Sequence, residues 1–347
     1  MRLSWGEFES AMSKADDENV GVSIGWSWSG VNAKIKSRFL SAVDRFGGRR
    51  IDEGGLDSER RIASHKAMTE ARVTLITAAT RTLSKEIEND PELARRALQV
   101  FSRAERQAEN VEACLSLALE DLKNRELPPP ENDAGPEVLD TAILDRWEHY
   151  AGGATSEQLR ERWGRVLSAE VRVPGTFNSK CLRIVDELSS EDAKLFERLC
   201  ERRLRAWVPT CTTSISDHDV DRLVEAGLVI QSDMGRTLPF VEGSAEGKKA
   251  WYLHAGEGLA LALRGDAKLP MNGLVDLLLS DKGTPCLPVH ALTDGGVALS
   301  SILPHNPTSA LSTLAKTIQA KSEADSVWIY KRVDERRWQR LQTEFDE

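Results

Sequence analysis

Apolar residues recur at helical spacing near the start of the chain. Val31, Ile35, Phe39, Val43 and Phe46 are separated by three or four positions, so they lie on one face of a helix. We therefore predict a helix over residues 31–46, preceded by an irregular segment rich in Gly, Ser and Trp.

Residues 57–125 form the clearest helical region, since they contain no glycine and are rich in Ala, Arg, Glu, Leu and Gln. Residues 89–92 divide the region with the features of a new helix start: a capping Asp, then Pro91 at the first helical position and an acid in the first turn. We predict two antiparallel helices of about 30 residues, each about 45 Å long. Their apolar seams comprise Leu75, Ile76, Ala79, Leu83 and Ile87 in the first helix, and Leu93, Ala97, Val100, Phe101, Ala104, Ala108 and Val111 in the second.

A proline-rich segment, residues 127–136, follows this region. Three consecutive prolines favour a stiff, extended conformation, which predicts a domain boundary. The next stretch again has helical periodicity. Thr155 and Gln158 have capping-box spacing at the start of one helix, and Ser189 is placed to cap another. A compact helical domain is expected here.

The pattern changes after residue 206, where helix signals become short and strand signals appear. A short helix stopped by Gly227 precedes the first strand candidate. This mixture favours a small α+β domain that resembles a winged helix. The strand candidates are residues 228–230, 250–253 and 327–330, and the helix candidates are 217–226, 292–299 and 309–321.

These patterns together predict a mainly α chain without internal repeats. The predicted segments are an irregular N-terminal segment with a basic amphipathic helix over 1–56, a long helical hairpin over 57–126, a helical core domain over 137–206, and a small, winged-helix-like α+β domain over 207–347.

Composition narrows the classes of function. Apolar residues make up 40% of the chain, enough for packed cores, and the net charge of -9 argues against general nucleic-acid binding, so such a contact would be local. The five cysteines are scattered without a CxxC pair, which argues against a disulfide framework and a zinc site. No apolar run suggests a signal peptide or a membrane span. We expect a cytoplasmic protein without a cofactor.

Two short motifs match catalytic patterns only superficially. Residues 21–25 fit the GxSxG nucleophile elbow, but the charged residues before them do not form the required strand. Asp217, His218 and Asp219 could hold a metal or transfer protons. Neighbouring side chains on a helix diverge, however, and acids at a helix start are expected from the helix dipole. We predict no catalytic or metal-binding residue.

Two basic clusters are candidate contact sites. The first could meet the phosphates and a base of a nucleic acid, or it could be a solvated helix end. The second could lie on an anionic membrane surface or a partner, or its helix could dock on the long hairpin. The first cluster comprises Arg202, Arg203, Arg205 and Trp207, and the second comprises Trp26, Trp28, Lys34, Lys36 and Arg38.

One long segment carries a family resemblance. Residues 144–200 read LDRWEHYAGGATSEQLRERWGRVLSAEVRVPGTFNSKCLRIVDELSSEDAKLFERLC and resemble the bacterial domain-of-unknown-function family 2806, as do residues 106–118 upstream. The same core has a looser likeness to the abortive-infection alpha family, which is linked to phage resistance. Within the motif, packing and turn formation account for five residues: Trp163, Leu167, Pro174, Gly175 and Phe177.

The resemblance implies no catalytic residue, and this chain departs from the family pattern at Ser168, Asn178, Lys180 and Cys181. We therefore expect a non-enzymatic regulatory or scaffold protein, with the looser likeness implying a role in anti-phage defence. The alternatives are a nucleic-acid-binding regulator acting through its C-terminal domain and an enzyme whose site escapes sequence patterns. We also predict a homo-oligomer held by the long hairpin, unless residues 31–46 close a three-helix bundle within one chain.

Overall fold

The computed structural model describes residues 32–46, 91–124, 138–232, 235–245, 247–269, 278–281, 283–323, 325–334 and 337–341, with residues 74 and 136. About 54% of these residues are helical and 21% lie in strands. The predicted mainly α class is therefore wrong, and the chain is an α+β mixture. The prediction missed strands such as the one over residues 259–264, whose apolar run alternates Leu with Ala at the two-residue period of a strand.

Nine α-helices lie in the described part of the chain, together with a short 3-10 helix over Thr210–Thr212. Several boundaries follow the predicted signals: the long helix α2 begins at Pro91, and the Ser189 side chain accepts the Asp192 N–H at the start of α6. Ser156 rather than Thr155 caps α4. The helices are α1 Ala33–Arg45, α2 Pro91–Asn124, α3 Thr141–Gly152, α4 Glu157–Arg172, α5 Ser179–Glu187, α6 Ser190–Cys200, α7 Asp217–Glu225, α8 Asp294–Ser301 and α9 Pro307–Gln319.

Of the predicted first helix of the hairpin, the structure describes only Thr74, which is helical, so the hairpin itself stays a prediction. Only α2 of the pair is described, and at 34 residues it is about 51 Å long. No helix in the described ranges has the length and apolar character needed to cross a membrane.

A helical core is built around the second half of α2. α4 approaches α2 closely at Gly164, where a Cβ atom would lie 2.9 Å from the Leu117 side chain. α1, α3, α5 and α6 also contribute buried side chains to this core. So do residues beyond position 206, including Leu223, Leu228 and Leu299. We call this assembly the helical body.

Two antiparallel sheets make up most of the remainder. The first has the order β1-β7-β2, with β6 also pairing with β7, and the second has the order β3-β4-β5-β8-β9. α9 packs on the second sheet over a separate core, which we call the second core and which includes Leu261, Leu314 and Ile329. The strands are β1 Trp207–Pro209, β2 Arg236–Pro239, β3 Val241–Ala245, β4 Lys248–Gly256, β5 Leu259–Arg264, β6 Leu279–Asp281, β7 Thr284–Ala291, β8 Val327–Arg332 and β9 Trp338–Leu341.

The winged-helix prediction is corrected by these sheets. Of the predicted strand 228–230, only Val229 forms a β-bridge, to Leu292, and the side chains of Leu228 and Val229 are buried in the helical body. The predicted strands 250–253 and 327–330 fall within β4 and β8, which are separated in the sheet by β5. The second sheet instead combines the consecutive strands β3, β4 and β5 with the β8–β9 pair, and β8 joins β5 after a long connection that contains β6, β7, α8 and α9.

Candidate functional site

The first half of α2 extends beyond the helical body. The last described contacts of α3 with α2 lie near Gly152, whose carbonyl accepts a hydrogen bond of 2.9 Å from the Asn110 side chain. A Cβ atom at Gly152 would lie 3.4 Å from the Gln107 side chain. From Leu98 to Glu109, every side chain of α2 except the half-buried Ser102 is exposed. This half of the helix therefore presents its surface to solvent or to a partner.

Three large apolar side chains lie on this projecting half. Leu98, Val100 and Phe101 are 68%, 67% and 65% exposed, and Ala104 and Ala108 beside them are also exposed. A few exposed apolar residues are normal on a protein surface, but a contiguous stripe on one helix marks an interaction site.

The stripe continues a seam that is buried further along the same helix. Phe101, Ala104, Ala108, Val111 and Leu115 follow one another at steps of three and four residues, which keeps them on one face. Val111 and Leu115 are buried in the helical body, whereas the first three are exposed. We call Leu98, Phe101, Ala104 and Ala108 the open seam.

The charges around the open seam are of both signs. Between residues 91 and 109, three glutamates stand against four arginines. Glu92 and Arg95 form an ion pair at 3.0 Å in which both side chains are more than half exposed, so the pair adds little to the stability of the fold. Balanced, interspersed charges suit contact with another mixed-charge helix better than contact with a polyanion.

The predicted structural motif lies inside the helical body. Trp163, Leu167 and Phe177 are each 1% exposed. The Trp163 ring stacks on Tyr150, with ring centroids 5.1 Å apart and planes 4° from parallel. The indole N–H of Trp147 donates to the Trp163 carbonyl at 2.8 Å. These residues pack the core and are not available to a partner.

Glu170 organises the turn that contains Pro174 and Gly175, a role that the sequence analysis did not assign. Its two carboxylate oxygens accept the backbone N–H groups of Gly175 at 2.7 Å and Phe177 at 2.9 Å. Gly175 has a φ of 87°, which favours glycine. Burial raises the pKa of the Glu170 carboxyl, and these N–H groups partly offset the effect. The acid four positions before the Pro-Gly pair was the available signal.

The described members of the second basic cluster, which was predicted to contact a membrane or a partner, differ in their burial. Arg38 is fully buried and donates to the carbonyl oxygens of Pro136, Val171 and Arg172. Lys34 and Lys36 are half-buried, and Trp26 and Trp28 lie outside the described residues. α1 thus docks on the end of α4, and Arg38 belongs to the interior.

The basic cluster at residues 202–207 does not form one surface. Arg203 is buried and donates to the Cys200 carbonyl, and Arg202 donates to the Thr313 hydroxyl at 3.1 Å.

The other two members of that cluster point elsewhere. Arg205 is exposed, and its side chain packs against Gly256. A Cβ atom added to Gly256 would lie 2.7 Å from the Arg205 Cγ. Trp207 pairs with Ala291 in the first sheet and packs against the second core. The structure places all four residues at the junction between the helical body and the sheets.

The remaining candidate residues, those with a possible catalytic or metal-binding role, do not form a site in the described part of the chain. His218 is exposed beside Asp217 and Asp219 at the start of α7, and residues 21–25 lie outside the described part. Across the described ranges, no three His, Cys, Asp or Glu side chains are grouped to hold a metal ion. Burial raises the pKa of the Cys114 and Cys200 thiols to about 12, so they are protonated and poorly nucleophilic.

A cavity of about 260 Å³ lies where α5 and α8 begin. The capping side chains Asn178 and Thr293 stand at its edge, with charges of opposite sign on Lys180 and Asp294. Lys180 and Asp294 are exposed to solvent, so the cavity has no buried charge that would select a ligand. It is lined by Asn178, Lys180, Cys181, Ile230, Leu292, Thr293, Asp294 and Gly295.

Comparison with known proteins identifies one family. The family described as "Protein of unknown function (DUF2806)" matches residues 93–206, in agreement with the resemblance seen in the sequence. The looser likeness to the abortive-infection alpha family is not shown. No curated protein and no solved structure matches the chain. Over residues 93–206, which include the open seam and most of the helical body, the chain is thus similar to the DUF2806 family.

Proposed function

We propose that this chain is a non-enzymatic scaffold protein that assembles with a second copy of itself through the open seam. The observation that supports the proposal is the continuity of one apolar face. Val111 and Leu115 are buried, while Phe101 on the same face is 65% exposed. Covering the exposed part removes apolar surface from water, at about 25 cal/mol for each Å².

A second copy suits the chemistry of the seam. Ala104 and Ala108 have small side chains, so the axis of a partner helix can come close between the larger Leu98 and Phe101. In a two-fold pair the same patch serves both partners, and mixed charges around it tolerate either helix direction. The rival occupant is the helix predicted before Pro91, of which the structure describes only Thr74.

The test is the mass of the full chain in solution. Light scattering at micromolar concentration should give a multiple of 38.5 kDa. Phe101→Asp should reduce the mass to that of a monomer without changing the circular dichroism spectrum, because it places a charge in the apolar contact. Val138→Asp is the matched control, since Val138 is exposed but lies outside the seam, and it should leave the oligomer intact.

Two results would contradict the proposal. In the first, the native chain is a monomer and Phe101→Asp lowers its thermal stability. That result would mean that the segment before Pro91 in the same chain covers the open seam. An oligomer that survives Phe101→Asp would place the contact on another surface. A role in phage defence stays an expectation from the sequence, and an enzyme stays the alternative to this proposal.

A further inference from the structure

The second sheet has two different faces. Side chains alternate along a strand, so Trp251, Leu261 and Ile329 point towards α9 and the second core. The opposite face, which we call the aromatic face, carries side chains of the other parity from four neighbouring strands. These are Tyr252 and His254 on β4, Ala260 and Ala262 on β5, Trp328 and Tyr330 on β8, and Trp338 on β9.

Aromatic rings meet above the alanines of the central strand. Tyr252 and Tyr330 belong to strands that β5 separates, yet their ring centroids are only 6.2 Å apart. Ala260 and Ala262, the β5 residues between them, are 1% and 0% exposed. Small side chains on β5 therefore let the flanking rings lean together. Tyr252 and Tyr330 themselves remain partly exposed.

The group of rings extends to the edge of the sheet. Trp338 on β9 lies 5.7 Å from the His254 ring between centroids; His254 is exposed and Trp338 is half-buried. Tyr252 and Tyr330 pack against a small buried cluster on this face, which includes Ala262 and Trp328. Together with His254 and Trp338 they leave several partly exposed ring surfaces around that cluster.

Positive charge accompanies these rings. Arg332 and Arg340 share the face with Tyr330, since Arg332 pairs with Trp338 and Arg340 with Tyr330. The Arg340 guanidinium lies 5.4 Å from the centroid of the Trp328 ring. Residues 327–341 contain five Lys or Arg and two Asp or Glu, although the chain as a whole carries a net charge of -9. The β8–β9 hairpin is therefore a local positive region.

We infer that the aromatic face binds a single strand of nucleic acid. Bases stack on the exposed surfaces of Tyr252, Tyr330 and Trp338, and the sugar–phosphate backbone runs along Arg332 and Arg340. Every base has a π-face, so such stacking tolerates sequence, and sheet surfaces with aromatic and basic residues bind single strands in this way. A duplex keeps its base faces stacked internally and cannot use the rings.

The existing ion pair does not oppose this role. Arg340 pairs with Asp325 at 3.0 Å, with the Arg340 side chain 33% exposed and the Asp325 side chain 61% exposed. The guanidinium has five N–H donors, so it can also donate to a phosphate while it stays beside the Trp328 ring. The site is separate from the open seam, and it does not use the cluster at residues 202–207.

Fluorescence anisotropy of the full chain with labelled oligonucleotides tests the inference. The probes are single-stranded DNA and RNA of mixed sequence, about 20 nucleotides long so as to exceed the roughly 4–16 nucleotides that single-strand-binding folds cover, and the matching DNA duplex. Single strands should bind at least about tenfold more tightly than the duplex, since only they expose base faces. The DNA and RNA arms distinguish which backbone is preferred.

Variants separate stacking from charge. Tyr330→Leu should weaken single-strand binding roughly 5- to 100-fold, the loss of one stacked base, while Tyr330→Phe keeps the ring and should bind as the native chain does. Arg332→Ala should lower the slope of log affinity against log salt by about 0.7, the value for one phosphate contact on a single strand. Arg183→Ala, an exposed arginine on α5, is the matched control and should leave the slope unchanged.

Three results would overturn the inference: no binding by the native chain, equal affinity for duplex and single strand, or unchanged affinity in a folded Tyr330→Leu variant. The last would indicate a surface that attracts polyanions by charge alone. Circular dichroism establishes that each variant is folded. If Tyr330→Leu unfolds, Tyr252→Leu takes its place with the same expected loss.

Discussion

The buried guanidinium of Arg38 donates a hydrogen bond of 3.3 Å to the backbone carbonyl of Arg172. Arg172 is the last residue of α4, and its own guanidinium donates to the carbonyl oxygens of Asp121 and Leu122 near the end of α2, at 2.9 and 3.0 Å. The last carbonyls of a helix lack partners within it and carry partial negative charge. α1 therefore covers the end of α4, and α4 covers the end of α2.

Removing the Arg38 guanidinium should destabilise the helical body. Arg38→Met keeps an apolar stem of similar length but withdraws the donors to Pro136, Val171 and Arg172. Buried carbonyls left unsatisfied cost about 1–3 kcal/mol each, so the free energy of unfolding should fall by at least about 2 kcal/mol in urea titrations. Arg45→Met, which breaks only a surface ion pair with Asp145, should cost less than about 1 kcal/mol. Equal losses for the two variants would contradict a capping role for Arg38.

Truncating Trp163 should be among the most damaging substitutions in the core. The side chain is 1% exposed and stacks on Tyr150, so Trp163→Ala should lower the free energy of unfolding by about 3 kcal/mol or more. Trp163→Phe retains an aromatic ring and should lose less. Thermal melts measure both variants. Unchanged melting of Trp163→Ala would mean that the motif serves a surface function rather than packing.

His305 should make the fold sensitive to acid. Its Nε2 lies 2.9 Å from the Arg203 carbonyl oxygen, and burial, aided by the positive charge of Arg203, lowers the pKa of His305 from 6.5 to about 4. The folded chain thus binds this proton less tightly than the unfolded chain. The stability linked to His305 is present above pH 6.5 and is lost as the pH falls towards 4.

The corresponding measurement compares free energies of unfolding at about pH 7 and about pH 4.5. His305→Gln keeps a donor for the Arg203 carbonyl but cannot titrate, so its stability should fall less between these two values than that of the native chain. His218→Gln, at an exposed position on α7, is the control and should retain the native difference. An identical acid loss in His305→Gln and the native chain would exclude His305 as the source.

Much of the local structure could be predicted from sequence, because the signals involve residues close together in the chain. Pro91 begins α2, Ser189 caps α6, and Gly227, with a φ of 74°, follows the end of α7. The aromatic face was less predictable from the sequence. The sequence predicted a strand over residues 327–330 and no partner strand after it, whereas the pairing of β8 with β9 brings alternate residues of both strands onto one face. Interleaved aromatic and basic residues were the overlooked signal.

Local sequence signals specify where helices begin and end and which residue types repeat along each face, since those properties depend on hydrogen bonds and spacings within about one helical turn. Which of those faces are covered depends on how the segments pack in three dimensions. Arg38 and Lys34 lie on the same short basic helix, yet Arg38 is buried against the distant end of α4. Val111 and Phe101 follow the same seam, but only Val111 meets the helical body. Burial depends on contacts between segments far apart in the chain, and the periodicity of one segment carries no information about what packs against it.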